Sequence, residues 1–329
     1  MIVLNSMKAA IYKSYGPAEV MQVVDIEIPK PKPNELLVRV HGASVSRTDT
    51  GFRSAEYVVS RFWTGLFKPK CQVLGSDFSG VVEEIGSDVK RFKKGDKIFG
   101  FNDKTFGGYA QFLCIDENAA MANAPSNLPL VDCAAIPEGA HYALNNIRAA
   151  KVSAGQNVLV YGATGAIGSS AVQLLKYFGA HVTAVSNTKN VELVKQLGAD
   201  EVIDYQTQDF TQTNTKFDLV FDAVGKSSIG QCRKIMKDQS IYVSTELGKY
   251  GQNIWRALFA SFLGKKKVIF PMPVATTADM EFLSKLVQDG HFKPVIDRYY
   301  SLDQIVEAHS YVQSAQKTGN VVLQIISRD

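Results

Sequence analysis

The sequence has no CxxC pair, no histidines at metal-ligand spacing, no apolar run of membrane-spanning length and no marked excess of one charge. Its four cysteines, Cys71, Cys114, Cys133 and Cys232, stand far apart. In a chain of 329 residues that spacing excludes a disulfide framework and favours reduced thiols in a cytoplasmic protein. Cys114, between Leu113 and Ile115, is expected to be buried. The five histidines, His41, His141, His181, His291 and His309, are scattered and read as ordinary core or surface side chains. The longest apolar stretch, Ile254 to Leu263, is interrupted by Arg256 and falls short of the ~20 residues of a membrane helix. No charged, apolar and small-residue succession marks a signal peptide at the start, and residues 1–6 read as an extension ahead of Met7-Lys8-Ala9-Ala10. The 36 basic and 32 acidic residues leave a formal charge of +4, too small to imply a nucleic-acid or anionic-membrane partner. The one dense basic run, Lys265-Lys266-Lys267, reads as the solvated entrance to a strand.

What is present is ordinary globular composition, 46% hydrophobic and 21% charged. At roughly 150 residues per domain the length implies two domains. Before residue 130 short runs bounded by Gly, Pro, Asp and Asn, among them Leu36 to Val40, Ser79 to Ile85, Lys97 to Phe101 and Tyr109 to Ile115, read as β-strands. The pattern then changes to strands at Asn157–Tyr161, His181–Ser186, Glu201–Ile203, Asp218–Ala223 and Ile241–Ser244. Helices are expected between them at Ala166–Phe178, Asn190–Leu197 and Ile229–Met236. Such alternation means βαβ crossovers and a parallel, doubly wound sheet. Near the end, Ser301-Leu302-Asp303-Gln304 reads as a capping box opening a helix to about Ala315, and Val321–Ile326 as a last strand.

The segment Val158 to Gly168 runs strand, glycine turn, helix. It carries the spacing of a dinucleotide loop as Ala163-x-Gly165-x-x-Gly168, with Ala163 in the first glycine's place. Gly165 lets the backbone approach a pyrophosphate, Gly168 lets helix pack on strand, and the helix N-terminus favours the anion. A tight turn in a non-binding sheet is the alternative. The second strand ends Ser186-Asn187-Thr188-Lys189 without the carboxylate that binds the ribose hydroxyl of NAD. Ser186 and Lys189 suit a 2′-phosphate, so the expected cofactor is NADPH. The competing reading makes Ser186 a turn former and Lys189 a solvated residue.

These residues resemble the medium-chain dehydrogenase/reductase superfamily, in its zinc-independent quinone oxidoreductase-like branch. The resemblance runs through Gly75 to Gly86, Lys94-Gly95-Asp96-Lys97-Ile98, the nucleotide loop, Gly198-Ala199-Asp200, Asp222-Ala223-Val224-Gly225 and Thr318 to Leu323. It implies a Rossmann sheet (residues 128–270) inserted in a β-rich, GroES-like substrate domain (residues 1–127 and 271–329). Zinc-dependent relatives have Gly-His-Glu where this chain has Gly75-Ser76-Asp77, and a cysteine where it has Ser46. No metal is therefore expected. The resemblance implies hydride transfer from NADPH to a quinone or α,β-unsaturated carbonyl. The alternatives are an NADPH-binding interaction or RNA-binding module with little turnover, and a zinc-free alcohol dehydrogenase.

By the same resemblance Thr164, Gly165, Ala166, Ile167 and Gly168 line the pyrophosphate, and Ser186, Lys189 and Tyr205 meet the 2′-phosphate. Val224 and Asn320 lie around the nicotinamide half. Ser46, Asp49 and Tyr57 are the catalytic candidates, although Asp49 equally suits a turn or helix cap. Arg53 and Tyr109 lie in or near segments that line the substrate cleft of relatives, and either could donate to a carbonyl oxygen. The implied partners are a small-molecule acceptor and, in a homodimer, a second copy; the helical stretch from Trp255 to Phe262 is a candidate dimer contact or lid. A monomeric mass by light scattering at micromolar concentration would refute the dimer.

Overall fold

The computed structural model describes residues 6–56, 61–246, 253, 254, 257 and 266–326. The chain divides into two compact units, Met1–Glu138 with Ala275–Asp329, and Gly139–Val274.

In the first unit β1 (Ser6–Tyr12) and β2 (Met21–Glu27) form an antiparallel ribbon. The long β3 (Glu35–Val45) leads into the helices α1 (Arg47–Ser54) and α2 (Arg61–Thr64), followed by β4 (Asp77–Ile85), β5 (Lys97–Phe101), β6 (Phe112–Asp116) and β7 (Ala120–Asn123). Strand β6 alternates, with Leu113 and Ile115 facing the core. Cys114 therefore points the other way and is only half-buried, contrary to the expectation from its neighbours. The fully buried thiols are Cys133 and Cys232, and all four cysteines are free. A 3₁₀ turn at Leu130–Ala135 lies on β3 and β4, which places residues 128–138 with this unit.

The boundary falls in α3 (Pro137–Ala149), a helix that the polar residues Glu138, His141, Asn145 and Asn146 concealed in the sequence. Its stripe Ala140, Ala143, Leu144 and Ile147 is fully buried, and Pro137 stands at its first position, where no N–H is needed. The second unit continues with β8 (Asn157–Tyr161), α4 (Ala166–Tyr177), β9 (His181–Ser186), α5 (Val191–Gln196), β10 (Glu201–Asp204), β11 (Phe217–Asp222), α6 (Ile229–Cys232), β12 (Met236–Ser244) and β13 (Lys267–Ile269). The strand order is β10-β9-β8-β11-β12-β13, parallel throughout. Val158, Leu159 and Val160 are wholly inaccessible, as are Val220 and Phe221, because helices cover both faces of such a sheet. The strand order reverses between β8 and β11, and ligands of open α/β sheets bind at that point. The helix expected over Ile229–Met236 is one turn long: Met236 instead pairs with Phe217, and Ile235 and Met236 enter the sheet core.

Returning to the first unit, α7 (Thr277–Gln288), β14 (Ile296–Ser301), α8 (Ile305–Gln313) and β15 (Asn320–Gln324) close the chain. A capping box between Thr276 and Asp279 opens α7, a signal present in the sequence but unread. The Ser301–Gln304 box is present, although a 3₁₀ turn at Leu302–Gln304 precedes α8. The second sheet runs β14-β15-β3-β4-β5-β7, with β6 also paired to β3. Tyr12, Leu36, Phe78, Ile98, Met121 and Leu323 fill its core. The architecture is a doubly wound parallel sheet inserted in the sequence of a β-rich unit. Among the described residues no helix is long and apolar enough to cross a membrane.

Candidate functional site: a glycine loop and a buried carboxyl cluster

The loop after β8 turns at Gly162, where φ is +79°. A Cβ there would meet Val224 Cγ1 at 2.6 Å, and one on Gly168 would lie 2.0 Å from the Gly162 carbonyl oxygen. Both glycines are thus required by packing. Gly165 differs. Its φ of −73° and ψ of 175° suit any residue, and a Cβ would meet nothing nearer than the Gly162 oxygen at 3.9 Å. It is the N-cap of the twelve-residue α4 and offers no capping side chain. The first-turn amides of Ala166, Ile167 and Gly168 have no intrahelical acceptor, so this open approach fits an anion. The first glycine of the loop is Gly162, and the spacing is G-x-x-G-x-x-G; Ala163 is fully buried within the turn, which the Gly165 amide closes on the Gly162 carbonyl at 3.3 Å.

At the ends of β9 and β10, Ser186 is 1% exposed and its hydroxyl donates to the Asn187 carbonyl at 3.3 Å. Lys189 and Tyr205 are exposed, and the Tyr205 amide donates to the Ser186 carbonyl at 3.0 Å. A carboxylate that the reading of the second strand missed, Asp204, pairs with Ser186 across the sheet. It accepts from the Thr188 hydroxyl and, at 3.0 Å, from the Gln206 amide.

Beyond β11 the Asp222 carboxylate, fully buried, organises the next turn. It accepts from the amides of Val224 (3.1 Å), Gly225 (2.8 Å) and Ser227 (2.8 Å) and from the hydroxyls of Ser227 (2.8 Å) and Tyr242 (3.0 Å). This fixes Val224, whose side chain packs over Gly162.

The first unit holds a separate polar cluster. Ser46 is the N-cap of α1 and forms a capping box with Asp49: the Asp49 amide donates to Ser46 Oγ at 2.9 Å, and Ser46 N donates to Asp49 Oδ2 at 3.1 Å. Ser46 Oγ also donates to Asp49 Oδ2 at 2.7 Å. The Ser76 amide reaches Asp49 Oδ1 at 3.3 Å, and its hydroxyl reaches the same oxygen at 3.4 Å. The cap role of Asp49 is therefore present. Asp77 accepts from the Ser44 hydroxyl and, at 3.0 Å, from the Glu138 amide. Burial raises the affinity of Asp49 and Asp77 for protons, and the Glu138 charge adds to the effect at Asp77. Glu138 is pushed up to about 7, first by burial and then by Asp49, against hydrogen bonds from Thr48 and Ser46 and the charge of Lys317.

Arg53 and Tyr109, expected to offer a donor to substrate, are wholly inaccessible. Arg53 donates to Gln313 at 2.8 Å, and the Tyr109 hydroxyl donates to the Ser44 carbonyl at 3.1 Å. His309 packs edge-on to Tyr109, and burial followed by the Arg53 charge lowers it to about 3, so it is neutral. Asn320 is buried, and its amide and side-chain NH₂ both donate to the Val295 carbonyl, at 2.8 and 3.0 Å. Tyr57 lies outside the described residues, as do Trp255, Arg256 and residues 258–262. Within the first unit the structure brings Ser46 and Asp49 together; within the second it gathers the loop Thr164 to Gly168 with Val224, and Ser186 with Tyr205. Among the described residues no group of three or more His, Cys, Asp or Glu is arranged to hold a metal. Glu138, Thr48, Gly162 and Asp204 went unread as site residues, and for Glu138 only an acidic residue in an otherwise apolar stretch could have signalled it.

Residues 32–126 match the model of the alcohol dehydrogenase GroES-like domain, and residues 197–323 that of the zinc-binding dehydrogenase family. The chain is 32% identical over 335 residues to 2-methylene-furan-3-one reductase of Solanum lycopersicum, covering 97% of this chain and 79% of that protein. It is 29% identical over 332 residues to the chloroplastic NADPH-dependent alkenal/one oxidoreductase of Arabidopsis thaliana, covering 97% and 80%. Its fold is similar to that of the quinone oxidoreductase of Coxiella burnetii, with a TM-score of 0.86 and 28% identity over 98% of this chain and all of that one.

Proposed function

Since this chain belongs to the medium-chain dehydrogenase/reductase superfamily, in its quinone oxidoreductase-like branch, we propose that it is an NADPH-dependent reductase of quinones or α,β-unsaturated carbonyls. The observation that carries the reading is the open approach at Gly165 to the uncapped N-terminus of α4. The relatives' names, a furanone reductase, an alkenal/one oxidoreductase and a quinone oxidoreductase, support the acceptor class. When bound, the nicotinamide supplies a hydride.

The chain's own residues do the rest. Amides of Ala166, Ile167 and Gly168 face the pyrophosphate, with Thr164 beside them, and Val224, fixed by Asp222, borders the nicotinamide half together with Asn320. Ser186, Tyr205 and Lys189 receive the 2′-phosphate. Asp204, one position before Tyr205, keeps its carboxylate on the Thr188 hydroxyl and the Gln206 amide. The NADPH preference is tested by Lys189→Ala. It should raise KM for NADPH about tenfold, the scale of one charge-assisted contact, and leave KM for NADH unchanged. A wild-type preference for NADH would reverse the assignment.

The reading dispenses with zinc. Where zinc-dependent relatives carry a thiolate and an imidazole this chain has Ser46 and Ser76, and both hydroxyls are turned to Asp49. A neutral hydroxyl is a poor zinc ligand, so this donor set does not fit the metal. An electron-poor acceptor needs no Lewis acid, because it carries the incoming electrons on its own oxygen. Ser46, Asp49 and Tyr57 are proposed to serve that acceptor, Asp49 by holding Ser46 in place. Steady-state NADPH oxidation with a panel of enones, quinones and simple alcohols tests the proposal. Turnover of the first two classes supports it, and cofactor binding without turnover of any contradicts it.

A further inference from the structure

Phe62, Leu66 and Phe67, at the turn that follows α1, are 76%, 53% and 89% exposed, and Phe67 is the most exposed large apolar side chain among the described residues. The turn that carries them is well held. The Gly65 amide donates to the Arg61 carbonyl at 2.9 Å, and the Lys70 amide closes the loop on the Thr64 carbonyl at 2.8 Å. The Tyr15 hydroxyl donates to the Gly65 carbonyl at 2.7 Å and lies 2.9 Å from Thr64 Oγ1. The Arg61 guanidinium stacks on the same tyrosine, 5.0 Å from its ring centroid. Thr64, Gly65 and Pro69 are buried. The backbone is thus anchored inward while three apolar side chains stand in water, where single exposed residues are ordinary but a group of this size marks a surface that something covers.

The charge around the turn has one sign. From Tyr57 to Ser76 the chain carries Arg61, Lys68 and Lys70 and no acidic residue. Lys68 and Lys70 are exposed, and neither forms an ion pair with a described residue. The acids that bound the segment are engaged elsewhere: Glu56 pairs with Arg47 at 2.8 Å, and Asp77 is buried, accepting from the Ser44 hydroxyl and the Glu138 amide. Exposed Lys13 follows Tyr12, whose amide donates to the Gln72 carbonyl at 2.9 Å, so a further cation stands beside the segment. The formal charge of +4 for the whole chain conceals this local concentration.

We propose that this turn attaches the protein peripherally to an anionic membrane surface. Phe62, Leu66 and Phe67 enter the boundary between headgroups and acyl chains, and Lys68 and Lys70 lie against the lipid phosphates. Area and charge together favour a bilayer over a protein partner. At ~200 Å² per aromatic side chain the three residues expose about 400 Å², whereas each side of a stable protein interface contributes about 800 Å². A bilayer needs no matching surface: a short apolar tip dissolves in it, and each nearby lysine adds about fivefold to the affinity for anionic lipid. A rigid turn also loses little conformational freedom on insertion. Attachment of this kind is independent of the reductase reading.

The test is co-sedimentation of the full chain with phosphatidylcholine vesicles, with and without a one-third share of phosphatidylglycerol. The wild type should bind the anionic vesicles at least tenfold more tightly than the neutral ones. Raising the salt from ~0.1 M to ~1 M shortens the screening length from about 10 Å to about 3 Å and should release it. Lys68→Ala with Lys70→Ala should weaken binding to the anionic vesicles at least tenfold, at about fivefold per lysine. Phe62→Ser with Phe67→Ser should do the same, and because both side chains are exposed its melting temperature should stay within about 2 °C of the parent. Light scattering should give the wild type and the Phe62→Ser, Phe67→Ser protein the same mass. A wild type that sediments with neither vesicle or equally with both overturns the proposal, as does undiminished binding by either double variant. A lower mass for the phenylalanine variant overturns it too, since a second copy of the chain then covers the turn.

Discussion

Replacing Gly165 by alanine is expected to leave the melting temperature within about 2 °C of the parent and to weaken NADPH binding at least tenfold, or about 1.4 kcal/mol. Gly165 has backbone angles open to any residue and nothing within 3.9 Å of an added methyl. The substitution even narrows the unfolded ensemble, a small stabilising contribution. What the methyl occupies is the space through which an anion reaches the α4 amides. Gly168→Ala is the control. Its methyl would stand 2.0 Å from a backbone carbonyl oxygen that cannot move away, so the protein should lose on the order of 2 kcal/mol of stability. Thermal melts with and without NADPH separate the two. If Gly165→Ala binds NADPH as the parent does, the loop is not the pyrophosphate site.

Asp222→Ala is expected to produce the largest loss of stability, on the order of 4 kcal/mol, which lowers the melting temperature by roughly 10 °C. It leaves the amides of Val224, Gly225 and Ser227 without an acceptor and removes one from Ser227 Oγ and Tyr242. Buried donors without partners cost far more than an exposed hydrogen bond contributes. Because that turn holds Val224 over Gly162, cofactor affinity should fall too. Asp222→Asn should lie between the two, as it keeps one acceptor oxygen but turns an NH₂ towards donors. Calorimetry of the three proteins checks the order, and equal melting temperatures would refute it.

The nucleotide unit was legible because its strands are buried on both faces: Val158-Leu159-Val160 and Leu219-Val220-Phe221 are continuous apolar runs, and β8, β9 and β11 follow them closely. Local pattern failed where tertiary contacts decided. The apolar spacing from Ile229 to Met236 suits a helix, but pairing with Phe217 draws Met236 into β12. In α3 the buried polar residues His141 and Asn146 broke the stripe that marks a helix. The site divides in the same way. The glycine loop after β8 is contiguous in sequence and could be read, apart from the glycine at position 162. The carboxyl cluster draws Asp49, Asp77, Glu138 and Lys317 from four separate segments, and no spacing in the sequence shows that they meet.

Turnover with NADPH carrying deuterium at C4 of the nicotinamide, with an α,β-unsaturated ketone as acceptor, tests the central claim most directly. A reductase of this class places the deuterium on the β-carbon of a saturated ketone. Deuterium on the carbonyl carbon of an allylic alcohol, or no NADPH oxidation with any enone or quinone, would contradict it.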